Sequence, residues 1–422
     1  MAFAVRVLNS YLATSRHAAV LCLLAICSFA GAGQAIAAGT QPGPPRVVLT
    51  GIEVLEKEGF ARLRGRHVGL ITNQTGIDRE GVSDIQRLHA AEHVNLVAIF
   101  NPEHGLFGKL DTESIDNSVD PVTGTTVYSL YGATRRPTRE MLAGIDTLVF
   151  DIQDIGTRFY TYISTMGLAM QAAAENGVGF MVLDRPNPIN GVTVGGPVLD
   201  DGKQSFTGFH LLPVRHGMTV GELARMFKAE LGLELDLEVV PLDGWRRADY
   251  FDDTGLPWVN PSPNMRSLTE ALLYPGIGLL ETTNLSVGRG TGTPFELFGA
   301  PWLDGAQLAG ELQQMGLPGV EFSAIAFTPS ASKYAAEPCQ GVSIRITNRM
   351  TFDPLRTGLE IARQLRLRYP QQWDIDSYIK LLGNDAVLQA VRDGRSHAEI
   401  LAIYKPGLED FKHRRTAYLL YP

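Results

Sequence analysis

Polar and apolar positions between residues 67 and 183 alternate between two kinds of segment. His67–Thr72 (HVGLIT), Val94–Phe100 (VNLVAIF), Thr147–Ile152 (TLVFDI) and Gly179–Leu183 (GFMVL) are short, mostly apolar runs. Such runs read as strands buried on both faces. Ser83–Glu92 and Thr161–Asn176 lie between them with helical spacing, and Ile163, Met166, Met170 and Ala173 share one face of the second. Strands alternating with helices predict an α/β domain with a mostly parallel, doubly wound sheet. The pattern then loosens. Val220–Leu231 reads as a helix and Leu235–Pro241 as a strand, among loops rich in Trp, Pro and Asn. Past residue 275 come a Gly-rich loop (Val287–Thr293), a strand (Val342–Thr347) and helices near Pro354–Leu367 and Asp385–Asp393. The expected organisation is a first domain over 46–275 and a smaller α+β domain over 276–422.

The first residues form a separate object. Arg6 and Arg16 precede or flank an apolar stretch, Ala18–Ala30, too short to span a bilayer comfortably, and Ala35-Ile36-Ala37 is a small-x-small site. Residues 1–37 are therefore expected to be a signal peptide cut near Ala37, leaving a periplasmic or secreted protein. A retained membrane anchor is the alternative. Cys22 and Cys27 fall inside that segment, so Cys339 alone would survive, with no intramolecular disulfide. The 422 residues are 45% hydrophobic and 19% charged, with a net charge of −8 and no basic run, which argues against a nucleic-acid partner.

Candidate chemistry collects where the four strands end. The first delivers Asn73 and Gln74; the second Glu103 and His104, within Asn101-Pro102-Glu103-His104-Gly105; the third Asp151, Gln153, Asp154, Arg158, Tyr160 and Tyr162; the fourth Asn187 and Asn190, within Asp184-Arg185-Pro186-Asn187-Pro188. Ligands of open α/β sheets bind at this edge, and four polar exits in register suggest a site rather than a set of turns. A Glu beside a His suits acid–base work, though the same run also makes an ordinary polar turn. Asp151, inside an apolar strand, is either a bonded structural anchor or a tuned acid. Asp154 and Arg158 can instead pair with each other. Tyr160, Tyr162, Trp245 and Trp258 offer flat faces for a sugar ring, although a residue of this kind is more often part of the core or rim. Further along, Arg215 and His216, Asn264 in the rigid Asn260–Asn264 loop, Glu281, Asn284, and Arg289 between Gly288 and Gly290 add polar candidates. Arg158, Arg215 or Arg289 could present a cation to a substrate carboxylate.

Several chemistries lack their signature. No GxGxxG follows the first strand and no phosphate loop is evident, so no cofactor is expected. Only His89 and His93 have ligand-like spacing, without the HExxH glutamate, so no metal is expected. No GxSxG elbow is present.

Taken together, Gly69–Gly76, Asn101–Gly108, Asp151–Met166, Asp184–Gly191, Pro213–Thr219, Asn260–Met265, Pro294-Phe295-Glu296, Gly299–Trp302 and Tyr418–Tyr421 resemble the exo-β-N-acetylmuramidase NamZ family, formerly a domain of unknown function. The resemblance covers nearly all of the chain after the leader. It implies a Rossmann-like domain bearing the cleft, a smaller C-terminal domain, and exo-cleavage of terminal N-acetylmuramic acid from peptidoglycan fragments in cell-wall turnover. It places the catalytic acid at Glu103. The chain departs from the family pattern at Thr282 and Val287, where Gly and Glu are expected, which would remove a carboxylate from the cleft rim. A glycosidase normally needs a second carboxylate, for which Asp151, Asp154 and Glu281 are the candidates. The competing functions are a non-catalytic muropeptide-binding protein and an amidase or esterase acting on wall fragments.

Overall fold

The computed structural model describes residues 47–112 and 114–422; the expected signal segment lies outside the described residues. Twelve strands are present among the described residues: β1 (His67–Thr72), β2 (Asn95–Asn101), β3 (Ser118–Val119), β4 (Thr126–Ser129), β5 (Thr147–Asp151), β6 (Gly179–Leu183), β7 (Gly195–Val198), β8 (Pro213–Arg215), β9 (Leu237–Val240), β10 (Leu297–Ala300), β11 (Val320–Phe327) and β12 (Cys339–Ile346).

Seven of them form one sheet in the order β3-β4-β2-β1-β5-β6-β9. Every pairing in it is parallel except β3 with β4. The chain winds outward from β1 through β2 to β4, then returns to β5 on the other side of β1 and continues outward. That reversal opens a crevice at the C-terminal ends of β1, β2 and β5, as the winding of open α/β sheets requires.

Strand burial explains the solid apolar runs. Leu70, Ile99, Val149, Met181 and Leu183 enter one core layer with Ile52, Leu55, Ile85 and Leu88 from the helices Gly51–Lys57 and Asp84–Ala90. Their alternates Ile71, Phe100, Leu148, Phe150, Phe180 and Val182 enter the opposite layer with Ile163, Met166, Met170 and Leu223 from the helices Tyr162–Asn176 and Val220–Glu230. Both faces are covered, so both sets of alternating positions must be apolar.

The same core continues into the C-terminal half, through Leu273 and Ile277 of the helix Leu268–Ile277 to Phe298, Val342, Leu359 and Phe411. There β10, β12 and β11 form an antiparallel sheet, and the helices Gly305–Gln314, Pro354–Arg368, Asp385–Arg392 and His397–Arg415 complete the half. This is the mixed α/β class expected from the sequence. Among the described residues no helix is long and apolar enough to cross a membrane.

Candidate active site

Glu103 leaves β2 on a tight turn. His104 and Gly105 both adopt left-handed backbone, at φ 70° and 74°. A non-glycine residue holds that conformation only where its surroundings over-determine it, and such residues gather at functional sites. Here His104 Nδ1 donates to the Leu110 carbonyl at 2.6 Å, and the Gly105 N–H donates to Pro102 at 3.1 Å. A carbonyl only accepts, so Nδ1 carries the proton.

The half-buried Glu103 carboxylate receives the hydroxyl of Thr161 at 2.5 Å. Thr161 immediately precedes the helix Tyr162–Asn176 but makes no side-chain cap bond to it. Its hydroxyl serves the carboxylate instead. Burial first, and then the charge of Glu103, push the phenol of Tyr131 up to about 12. Tyr160, Tyr162 and Tyr274 are raised as well, mainly by burial, and each also feels the Glu103 charge. Glu103 thus sits among the phenols of Tyr131, Tyr160, Tyr162 and Tyr274.

The surrounding cleft contains about 720 Å³ of empty space, part of it open to solvent. Its lining joins both halves of the chain: Glu103 and His104 from the β2 exit, Phe159 to Tyr162 from the β5 exit, Ser262 and Met265, and then Tyr274, Glu281, Arg289, Phe295 and Leu381. Glu281 and Arg289 form an ion pair, and Asp111 approaches the same guanidinium at 3.8 Å. Burial opposes the charge on Arg289, but Glu281 and its neighbours outweigh it and hold the guanidinium above its ordinary range.

Of the residues singled out in the sequence, Glu103, His104, Tyr160, Tyr162, Glu281 and Arg289 meet on this cleft. The tyrosines are not open stacking faces. Their rings pack edge to face at 5.0 Å, and the Tyr162 hydroxyl donates to the Pro261 carbonyl at 2.5 Å. Trp245 is buried against Val48 and Leu242, and Trp258 packs edge-on to Phe251; neither lines the cleft. Asn73 and Gln74 face an adjoining groove with Leu106 and Phe107, and Gln74 also donates to the Asn260 and Pro261 carbonyls.

Other candidates are committed elsewhere. Asp151 is fully buried and held by Arg185 through two bonds of 2.5 and 3.0 Å, so of the two roles open to it the geometry matches the anchor. Asp154 does not pair with Arg158. Its carboxylate accepts from the Gly156 N–H at 2.7 Å and faces His216 Nε2 at 3.3 Å, while His216 Nδ1 accepts from Met218. Arg158 donates instead to four carbonyls, of Pro197, Leu212, Leu381 and Leu382. Arg215 donates to the Ile189 carbonyl. Burial lowers both guanidiniums, to about 9 and about 10. Sequestered in this way, neither can reach a substrate carboxylate, which corrects that expectation for both.

Gln153 donates to the Asp154 and Pro186 carbonyls. Asn187 donates to Met218, and Asn190 accepts from Val192 and Thr193. Asn284 bridges to the Gln372 and Asp374 backbone, and Asn264 reaches Asp111 at 3.5 Å. These amides brace loops. Val287 is buried in the core, not on the rim. Sequence reading missed Tyr131, Thr161 and Tyr274. Tyr131 follows a four-residue strand too short to register as a pattern, and Thr161 resembles an ordinary helix cap.

The fold and site together are those of an α/β protein with a polar cleft at the strand ends of a doubly wound sheet, carrying the carboxylates Glu103 and Glu281. Models of the exo-β-N-acetylmuramidase NamZ N-terminal and C-terminal regions match residues 68–269 and 272–421. The chain is 44% identical over 378 residues to the peptidoglycan β-N-acetylmuramidase NamZ of Bacillus subtilis strain 168, covering 89% of this chain and 91% of that protein. Two crystal structures of DUF1343 family proteins from Bacteroides fragilis share the fold. One has a TM-score of 0.83 at 39% identity, covering 90% of this chain and 100% of that one. The other has a TM-score of 0.73 at 31% identity, covering 89% and 99%. The chain belongs to the exo-β-N-acetylmuramidase NamZ family of glycoside hydrolases.

Proposed function

We propose that this protein removes terminal N-acetylmuramic acid from peptidoglycan fragments, with Glu103 as the general acid. The supporting observation is the placement of Glu103 itself: a carboxyl group on a strained strand exit, oriented by Thr161 and facing a cleft of sugar-sized dimensions. Glu103 donates its proton to the glycosidic oxygen as the bond from that oxygen to the anomeric carbon breaks. Water then adds to the anomeric carbon and loses a proton to a base. Of the three candidate second carboxylates, Glu281 is the one on the cleft, and Arg289 holds it in place. We assign it the second role and assign Arg289 to the lactyl carboxylate side of the sugar. A cell-wall substrate fits the secretory leader expected from residues 1–37, and so a periplasmic or extracellular site of action. The test is incubation of the pure protein with a muramic-acid-capped disaccharide and identification of the products by mass. Release of the two monosaccharides supports the reading. Recovery of the intact disaccharide after long incubation favours a binding protein, and release of a peptide or acid from richer fragments favours an amidase or esterase.

A further inference from the structure

The turn that carries Glu103 ends on an exposed ring. Phe107 is 60% exposed, and among the described residues it is the one aromatic side chain that lies open to solvent. Leu110, Val119 and Val122, on the segment that follows, are exposed as well. Apolar side chains gathered in water mark a surface that something covers. Phe107 and Val122 border a groove with about 560 Å³ of empty space, part of it open to solvent, which the buried Ile85 and Leu106 also line.

This groove and the cleft share a wall. Glu103 lines the cleft and Phe107 the groove, at the two ends of one turn. Gln74 lines the groove and donates to the Pro261 carbonyl at 3.1 Å. Tyr162 lines the cleft and donates to the same carbonyl at 2.5 Å. The turn lies so closely on Gln74 that a Cβ on Gly108 would fall 2.1 Å from its side-chain Cδ. The bond from His104 Nδ1 to the Leu110 carbonyl closes the turn. The conformation that places the Glu103 carboxyl therefore also places the Phe107 ring.

Charge separates the two spaces. The cleft holds Arg289. The groove has no cation in its lining, and its two carboxylates are engaged. Asp84 is fully buried and accepts from the Thr72 hydroxyl, and Asp120 accepts from the Thr123 N–H and hydroxyl, both at 2.8 Å. An acidic group gains nothing there. An uncharged amphipathic one does, because the groove presents an apolar ring face and a free carboxamide. That carboxamide belongs to Gln86, which lines the groove, is exposed, and bonds through its side chain to no described residue. It can both donate and accept, as recognition of an acetamido group requires.

We propose that this groove is the aglycone subsite. It holds the neutral N-acetylated sugar from which muramic acid is cut, with Phe107 stacked on a C–H face of the ring and Gln86 bonded to the acetamido group. This rests on the glycosidase reading. The glycosidic oxygen leaves with the aglycone, and Glu103 must reach that oxygen, so the leaving sugar starts beside Glu103. The far end of the same turn is Phe107.

The test uses two substrates that differ in the aglycone alone: muramic-acid-capped N-acetylglucosamine and the methyl β-glycoside of N-acetylmuramic acid. The proteins are wild type, Phe107→Ala, Phe107→Trp and Gln86→Ala. The ratio of kcat/KM for the disaccharide to kcat/KM for the methyl glycoside should fall about fivefold to tenfold in Phe107→Ala, the scale of one lost ring contact. Phe107→Trp should keep the ratio, and Gln86→Ala should lower it about threefold or more, the scale of one lost neutral hydrogen bond. An unchanged ratio in either alanine variant, with a wild-type urea midpoint, overturns the proposal. Saturation-transfer NMR with methyl β-N-acetylglucosaminide reads the subsite without any cutting. A wild type that binds this glycoside through Phe107 but cuts neither substrate keeps the subsite and removes the glycosidase. A wild type that cuts the disaccharide, with a ratio unmoved by Phe107→Ala, removes the subsite alone. A Phe107→Ala protein whose only change is in sedimentation, from paired copies to single ones, makes the cluster a self-association face and also overturns the proposal.

Discussion

The Thr161 hydroxyl donates to Glu103 Oε2 at 2.5 Å, tying the start of the helix Tyr162–Asn176 to the exit of β2. A threonine in this position commonly accepts a bond from the helix backbone and so stabilises the helix. Here that bond is absent. The residue orients a carboxylate, and its loss should register in rate before stability.

Thr161→Val should therefore lower kcat about tenfold or more, since a hydrogen bond to a charged group is worth about 1.5–3 kcal/mol. The urea midpoint should barely move, and Thr161→Ser should recover most of the rate. A large stability loss with unchanged kcat would mean that Thr161 is only a helix residue.

Arg158 makes the opposite kind of prediction. Its guanidinium is fully buried and joins the β5 exit to the carbonyls of Leu381 and Leu382 at 2.6 and 2.8 Å. Arg158→Met strands these and two further acceptors away from water. It should cost about 3–5 kcal/mol by urea denaturation, the scale of a broken buried polar network. A loss below about 1 kcal/mol would show that water replaces the guanidinium.

Asp184 predicts a pH dependence of stability. Burial raises its carboxyl to about 7, against the bonds it accepts from Tyr421, Thr219 and Gly221. An unfolded aspartate titrates near 3.9. Between about pH 4 and 7 the folded protein therefore binds the extra proton, so this group's contribution is complete below about pH 4 and is lost as pH rises through 7. Urea unfolding of Asp184→Asn should show a flatter fall in stability across that window than wild type. Parallel pH profiles for the two proteins would contradict the assignment.

Much of the first sheet was legible because strands covered on both faces have no polar positions to confuse the pattern. His67–Thr72 and Gly179–Leu183 have the bounds expected of them. β4 and β10, each four residues long, carry too few positions for any period to show. At the site, the Glu103–His104 exit was legible as a motif. The separation of cleft residues from braces was not, because Asp151 and Arg158 carry the same chemistry as Glu281 and Arg289. Only packing shows that the first two are spent, on Arg185 and on carbonyls.

The most direct test of the account is the steady-state rate of Glu103→Gln on a muramic-acid-capped disaccharide, with wild type alongside. The substitution keeps the size of the side chain and an oxygen able to accept from Thr161, so the protein should remain folded with a similar urea midpoint. The rate should fall at least about a hundredfold, the scale of general acid catalysis. A folded Glu103→Gln protein that releases N-acetylmuramic acid at the wild-type rate would contradict the account.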